Sequence, residues 1–486
     1  MKQTTRWLPM LLCLAALLGL VTGCGGKEGP PASSDTQPAV TQGDNWNITL
    51  PDRDLELKTF RILGRDGGGN TMFTNFEFDA DADGTLMNDA VFSRNESLET
   101  RYNFVVEYSS SDNVNEDVQV LYGAEEDAYD LVIYQVSKVQ PHASTGYLTD
   151  LYSLPWLDFG APCWNETANA QLSMLNRLYF TTSDYLLLDK NRTYLNIYNR
   201  ELARDHGLGY LEDIVKEGSW TYERFLEVEE LLTLELDGVD GHSANDGFGL
   251  VMDSYNAFVP FVYGGGLRLS SKTDDDLLEL TGNDGRATDI IAEALRITCD
   301  ENMAMFCNDY NNNWAIANDT FYARRALITT TFLSVFDTSM GEKCDFEYGF
   351  LPFPKLEQSQ DAYYTVPDTQ HSQVFAVPVF VQDKDFAGYV LELFSEASTN
   401  TTLEVFYEQK CKLQNSYDQL CADMLDLIFA NVVYDAVLVG DFGGLCSLLK
   451  VELPSKKLNI YSGMYRSRSA TAEAELEKLI AAYQSR

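Results

Sequence analysis

An α/β fold with largely parallel sheets is what this sequence predicts, and three observations predict it. Strand-like and helix-like segments alternate along the chain once the first fifty residues are past. The apolar run Tyr129–Tyr134 is of the kind seen where helices cover both faces of a strand. No fixed-period repeat and no second linker interrupts the alternation, and two lobes that exchange segments would account for so long a chain with no obvious boundary.

In chain order, Leu57–Leu63 is a short β-rich run that ends at Gly64 and is followed by Gly67-Gly68-Gly69. Asn88–Tyr102 has apolar or small residues at Ala90, Val91, Leu98 and Tyr102 with charge between them, and predicts a helix. Phe104–Tyr108 is a strand, then Tyr129–Tyr134. Helices are expected over Thr221–Leu234, Asp289–Cys299, Phe386–Phe394 and Ala470–Tyr483.

Composition narrows the function. The 486 residues carry 35 Lys+Arg against 74 Asp+Glu, a formal net charge of −39. That balance opposes nucleic acid, whose affinity comes from cations neutralising phosphates, and opposes anionic membrane surfaces for the same reason. With 45% hydrophobic residues, 27 Tyr and 26 Phe, the chain has ample material for a core.

The N-terminus is the most specific signal. Lys2 and Arg6 precede an uncharged apolar run, Trp7 to Thr22, too short to span a bilayer but built like a secretory signal. It ends Leu20-Val21-Thr22-Gly23-Cys24, which resembles a bacterial lipobox, so Cys24 is the expected lipidation site. Gly25 to Asp44 is rich in Gly, Pro, Ser, Thr and Gln and is expected to be a flexible tether. The expected place of the body is therefore the outer face of a bacterial cell membrane.

Of the 9 Cys, Cys13 leaves with the signal and Cys24 is lipidated. The remainder is an odd number with no CxxC spacing, so at least one thiol stays unpaired. The 4 His are scattered without an HExxH pattern. Asp79-Ala-Asp81-Ala-Asp83-Gly84 opens like a calcium loop, but Ala90 stands where the bidentate Glu belongs, so a solvated acidic turn is expected. Asp237–Gly241 is likewise a turn. Neither Gly67–Gly69 nor Gly264–Gly266 fits a nucleotide loop; each suits a positive-φ turn or backbone brought close to a ligand. No GxSxG elbow or triad is present. No metal, cofactor or catalytic residue is expected.

The aromatics point further. Sugars present apolar C–H faces rimmed by hydroxyls, so their sites combine aromatic platforms with a few polar groups. Tyr134, Tyr255, Tyr263, Trp314 and Phe332 fall near predicted strand ends or in Gly/Asn-rich loops, where open α/β sheets bind ligands. Core packing is the alternative for each one singly.

A family resemblance adds to this. Asn88–Asn95 with Glu99 and Tyr102-Asn103, Tyr129–Val132 with Gly146–Leu151, and Tyr198–Leu202 succeed one another in order. Glu217–Tyr222, Tyr348–Lys355 and Met424–Ile428 come after them. Together with the lipobox they resemble the family-1 extracellular solute-binding proteins, the lipid-anchored receptors of carbohydrate-type ABC importers. The resemblance implies a two-lobed periplasmic-binding-protein-like type II fold, with interleaved lobes, a hinge and ligand in the interlobe cleft. It implies crossings near Phe180–Tyr198, near Tyr363–Val377 and after about Ala397. The implied division is 1–23 signal peptide, 24–52 tether, 53–190 plus 364–397 first lobe, and 191–363 plus 398–486 second lobe.

By the same resemblance, Tyr134, Tyr255, Gly265, Phe332 and Asp184 are ligand-binding positions, whereas Trp220 and Trp314 are structural. The chain departs from its relatives in using Tyr and Phe where they often use Trp, and Ser137 where one has a carboxylate. The implied function is a monomeric binding protein, not an enzyme, that captures a sugar or oligosaccharide and hands it to permease subunits. A surface glycoside-processing enzyme and a sensor uncoupled from transport are the alternatives.

Overall fold

Two sheets, each fed by strands from distant parts of the chain, organise the computed structural model. It describes residues 46–66, 76–238, 243–337, 340–413 and 416–486. Cys24, the tether and Gly67–Gly69 lie outside the described residues.

The first sheet holds β1 (Lys58–Arg65), β2 (Phe104–Ser111), β3 (Leu131–Gln135) and a late strand. The second holds β4 (Tyr194–Asn199), β5 (Phe248–Met252), β8 (Ala304–Phe306), β9 (Ala326–Phe332) and β10 (Tyr348–Leu351). A small hairpin, β6 (Ser270–Lys272) and β7 (Leu278–Leu280), stands apart, and β11 (Gln373–Ala376) is the late strand of the first sheet. The orders are β11-β3-β1-β2 and β10-β4-β9-β5-β8. Every residue of β5 and β9 is buried, as is all of β3 but its last, as strands covered on both faces require.

The expectation of largely parallel sheets needs correction. β1 pairs in parallel with β2 and β3, and β5 in parallel with β8 and β9. β11 runs antiparallel to β3, and β4 antiparallel to both β9 and β10. Both sheets are mixed because β4 and β11 are the strands by which the chain enters one sheet on arriving from the other. Such a strand has no βαβ crossover to dictate its direction.

The two crossing segments are zipped together. Thr193 bridges Pro367, Asp368 N donates to Arg192 O at 2.9 Å, and Thr365 Oγ1 donates to Tyr194 O at 2.7 Å. The third passage comes later than Ala397. Helix Lys384–Thr399 is followed by helix Thr402–Cys411, still tied to the first sheet's helix Leu86–Tyr102 through Arg94, which donates to Ser398 Oγ (3.0 Å) and Thr402 Oγ1 (3.3 Å). Beyond it, helix Gln419–Phe429 packs on β10, its N-cap Asp418 paired with Arg200.

Helix boundaries obey local chemistry. The helix expected over Thr221–Leu234 is Tyr222–Glu230, with Thr221 as N-cap accepting from Arg224 N at 3.3 Å. The last helix is longer than expected, Tyr461–Gln484. Trp220 is fully buried and donates to Pro352 O at 3.0 Å, so its part is structural. All seven cysteines after Cys24 are free thiols.

Candidate functional site

Charged residues concentrate where the crossing segments meet the carboxyl ends of β5 and β9. On the first crossing, the one-turn helix Leu188–Asn191 brings Lys190 3.4 Å from Asp184 and 3.7 Å from Asp189. Thr182 Oγ1 donates to Asp189 at 2.5 Å and Thr399 Oγ1 to Asp184 at 2.7 Å. Next comes Arg192, only 1% exposed, its guanidinium 5.5 Å from the Phe332 ring centroid. Tyr194 packs on the same ring, centroids 4.2 Å apart. The register accounts for this, since Tyr194 opens β4 directly opposite Phe332, which closes β9.

Three carboxylates face these cations. Asp337 accepts from Asn191 Nδ2 at 2.9 Å and pairs with Lys410, an ammonium 2% exposed that arrives from helix Thr402–Cys411. Asp368, on the second crossing, pairs with His371 and accepts from Gln370 N at 3.0 Å. Burial works against its ionisation, but the hydrogen bond and charge of His371 and the charge of Lys450 hold its carboxyl below the ordinary range. Lys450 donates to the Thr369 hydroxyl beside it. Asp253 directly follows β5 and takes one hydrogen bond from Ser254 Oγ at 3.1 Å. Burial pushes it up to about 7, with Asp368 acting in the same direction and Arg192 against it.

Carboxylates, cations and aromatic rings meet in one region where six segments of the chain converge, Arg192, Tyr194, Asp368, Lys410 and Phe332 among them being buried. That combination suits a neutral, hydroxyl-rich ligand better than an apolar or strongly charged one.

Among the sequence-predicted residues, the structure brings Phe332 into this region, and Tyr255 lies two residues beyond Asp253. Tyr255 is held there: its N–H donates to Asn308 Oδ1 (2.7 Å) and its hydroxyl to Asp309 Oδ1 (2.6 Å). Asp184 sits in the Lys190 knot next door. Tyr134 borders this region by its backbone, since Val136 N and Ser137 N just beyond it donate to Ser372 O (3.0 Å) and Thr369 O (2.9 Å) on the second crossing, but its side chain is taken up in the core, and Gly265 belongs to a separate helix contact. Tyr134 is 0% exposed, its hydroxyl 3.1 Å from His142 Nδ1, and burial raises its phenol pKa while drawing His142 down to about 4. Gly265 is packed so tightly that a Cβ there would stand 2.3 Å from the Tyr222 hydroxyl; the turn itself is made by Gly266, at φ +96°. Close helix packing therefore explains this glycine pair. Tyr263 is also fully buried, whereas Trp314 is 57% exposed and so, unlike Trp220, does not pack in the interior as the structural part implied for it would require.

Sequence reasoning missed Arg192, Asp253, Asp368, His371, Lys410 and Lys450. Two carried a signal. Arg192 abuts the wholly buried β4, and Asp253 directly follows the wholly buried β5.

Two further features lie apart from this cluster. A depression of about 430 Å³ beside Gly266 is lined by Arg268, Arg286, Glu357, Gln360, Asp361 and Tyr364, with Arg268 stacked 4.2 Å from the Tyr364 ring. Glu235, Asp237 and Asp246 form the one metal-like acidic group among the described residues, but Asp246 already accepts from the N–H groups of Leu236, Asp237 and Ser243. Asp79, Asp81 and Asp83 are exposed, and Asp83 accepts from Thr85 and Asn88, the geometry of an acidic turn.

The architecture matches solved structures over most of its length. The ABC substrate-binding protein Lmo0181 from Listeria monocytogenes, solved with cycloalternan, is similar at TM-score 0.53 and 15% identity, covering 86% of this chain and 99% of that one. The maltose-binding periplasmic protein MalE from the same organism, solved with maltose, gives 0.54 at 11%, covering 87% and 98%. The maltose/maltodextrin-binding domain MalE from Bdellovibrio bacteriovorus, bound to maltotriose, gives 0.51 at 13%, covering 86% and 100%. The fold is thus the two-lobed α/β fold of periplasmic binding proteins. No protein-family model matches the chain, and no curated protein does.

Proposed function

We propose that this chain is a family-1 extracellular solute-binding protein that captures a sugar or oligosaccharide between its lobes and delivers it to the permease of an ABC importer. The observation that carries the proposal is the position of the Arg192–Asp253–Asp368 cluster, with Phe332 and Tyr194, where two zipped crossing segments join the sheets. In a hinged two-lobed fold this is where closure traps a ligand. The structural neighbours were solved with cycloalternan, maltose and maltotriose, which supports carbohydrate as the ligand class. In this reading Phe332 and Tyr255 supply faces for pyranose rings, Asp253 accepts from hydroxyls and Arg192 donates to them. No covalent step is required.

Isothermal titration against mono- and oligosaccharides, amino acids and peptides tests the reading. Micromolar binding of a saccharide, about −8 kcal/mol, is expected, with the sugar recovered unaltered after long incubation. Binding of peptide or amino acid alone overturns the ligand class, and release of reducing ends overturns the non-enzymatic reading.

The lipobox supports a lipid anchor at Cys24, which places the body on the outer face of the cell membrane. Radiolabelled fatty acid should attach to the wild type and not to Cys24→Ala. Label that persists in the variant removes the anchor assignment.

A further inference from the structure

The loop after β8 carries an aromatic side chain that the fold leaves uncovered. Trp156, Trp164 and Trp220 each donate their indole N–H to a protein acceptor, Asp385, Glu392 and Pro352 O, at 2.8, 2.9 and 3.0 Å. Trp314 does not. Its indole N–H has no partner among the described residues, and at 57% exposure it is the most exposed aromatic among them.

The loop is nonetheless firmly built. The one-turn helix Cys307–Tyr310 ends at Asn311 and Asn312, both at positive φ (58° and 55°), which reverse the chain. Trp314 N donates to Asn312 O at 3.0 Å, and Cys307 Sγ lies 3.7 Å from Trp314 O, so the backbone of Trp314 returns to the end of β8. Asn308 Nδ2 donates to Asn312 Oδ1 at 2.9 Å. Asn308 and Asp309 also hold Tyr255, and Lys457 braces Asp309 at 2.9 Å. The platform and Tyr255 are thus one hydrogen-bonded unit.

Topology sets its direction. β9, β5 and β8 are parallel neighbours, with Met252 opposite Phe306, so their carboxyl ends share one side of the sheet. Phe332, the Asp253–Tyr255 turn and the Trp314 loop are therefore ranged from the inner strand to the edge strand, one strand at a time. Strands lie about 4.8 Å apart, a step comparable with the length of one pyranose ring.

We infer that Trp314 is an outer subsite that selects for chain length: it stacks a ring of an oligosaccharide too far along the chain for the inner cluster to reach. The inference rests on the function proposed above. It makes Trp314 a specificity residue for oligomers and irrelevant to a disaccharide seated at Phe332 and Asp253. An exposed indole face costs no burial of a polar group and gains stacking only when a ring arrives.

The test is titration of malto-, cello-, xylo- and manno-oligosaccharide ladders of two to six units into wild type, Trp314→Ala and Trp314→Phe. In the ladder that binds, Trp314→Ala should weaken the four- to six-unit members about tenfold and leave the two-unit member unchanged. Trp314→Phe should recover most of the loss. A shift in tryptophan emission on adding the long members should occur in the wild type and vanish in Trp314→Phe. Equal affinity of wild type and Trp314→Ala for every length, or an equal loss at every length, overturns the outer subsite and leaves the proposed function standing. Failure of every ladder to bind, where peptides or amino acids do bind, overturns both.

Discussion

At the end of β3 Tyr134 turns its hydroxyl onto His142 and is lost to solvent, whereas at the end of β9 Phe332 stacks on Tyr194 beneath the guanidinium of Arg192. Both are aromatics at the carboxyl end of a strand in a mixed sheet, and in sequence they look alike. The segment after each strand separates them. β3 runs straight into helix Val136–Thr145, whose first turns fold His142 back over the ring. β9 runs into a short one-turn helix, Leu333–Asp337, and is flanked by the start of β4, a crossing strand that delivers charge. Both rings are buried, Tyr134 at 0% and Phe332 at 8% exposure; what differs is the cover, a helix that follows its own strand over Tyr134 and the side chains of a crossing segment, Arg192 and Tyr194, over Phe332.

The largest test of this contrast is Tyr134→Ala. Emptying a fully buried ring site should cost about 3–5 kcal/mol in urea unfolding, through lost transfer energy and the cavity left behind. The affinity of the protein that remains folded should be unaltered. A variant of normal stability that has lost ligand binding would make Tyr134 a contact residue after all.

Tyr255→Ala should behave in the opposite way. Its ring is only partly buried and packs edge-on to Phe306 at 5.1 Å, so its removal should shift stability by less than about 1 kcal/mol. Saccharide affinity should fall about tenfold, the value of one lost aromatic stacking contact. Unchanged affinity would confine the site to the hinge cluster.

The same residues show how much of this was legible in the sequence. β3 declares itself because a strand covered on both faces reads as a continuous apolar run, whereas β5 is not picked out and β9 carries Thr329, Thr330 and Thr331 within its buried run. The direction of β4 and β11 is not declared, since burial on both faces carries no polarity along the chain. Phe332 and Tyr255 could be nominated as strand-end aromatics, but Tyr134 met the same criterion, and only the path of the next helix tells them apart. The charged cluster was the least legible. Arg192, Asp253, Asp368, Lys410 and Lys450 come from five separate segments, and among 74 acidic residues no local pattern singles out two.

The two sheet ends should also respond oppositely to pH, the subtlest of these effects. Burial holds His142 at about 4, below the histidine value of an unfolded chain, about 6.5. Between those values the unfolded chain binds the extra proton, so this group makes stability rise with pH. Burial holds Asp253 at about 7, above the aspartate value of an unfolded chain, about 3.9. Between those values the folded chain binds the extra proton, so this group makes stability fall as pH rises. Over pH 4–6.5 the two slopes oppose each other, each with a ceiling of about 1.4 kcal/mol per pH unit. Relative to wild type, Asp253→Asn should therefore tilt the stability profile upward with pH, and His142→Asn should tilt it downward. Urea midpoints at half-unit pH steps read both tilts. Parallel profiles for wild type and Asp253→Asn would show that this carboxyl ionises as freely in the folded chain as in the unfolded one. The polar end of β5 would then be wet rather than enclosed, and the contrast between the two sheet ends would reduce to Tyr134 alone.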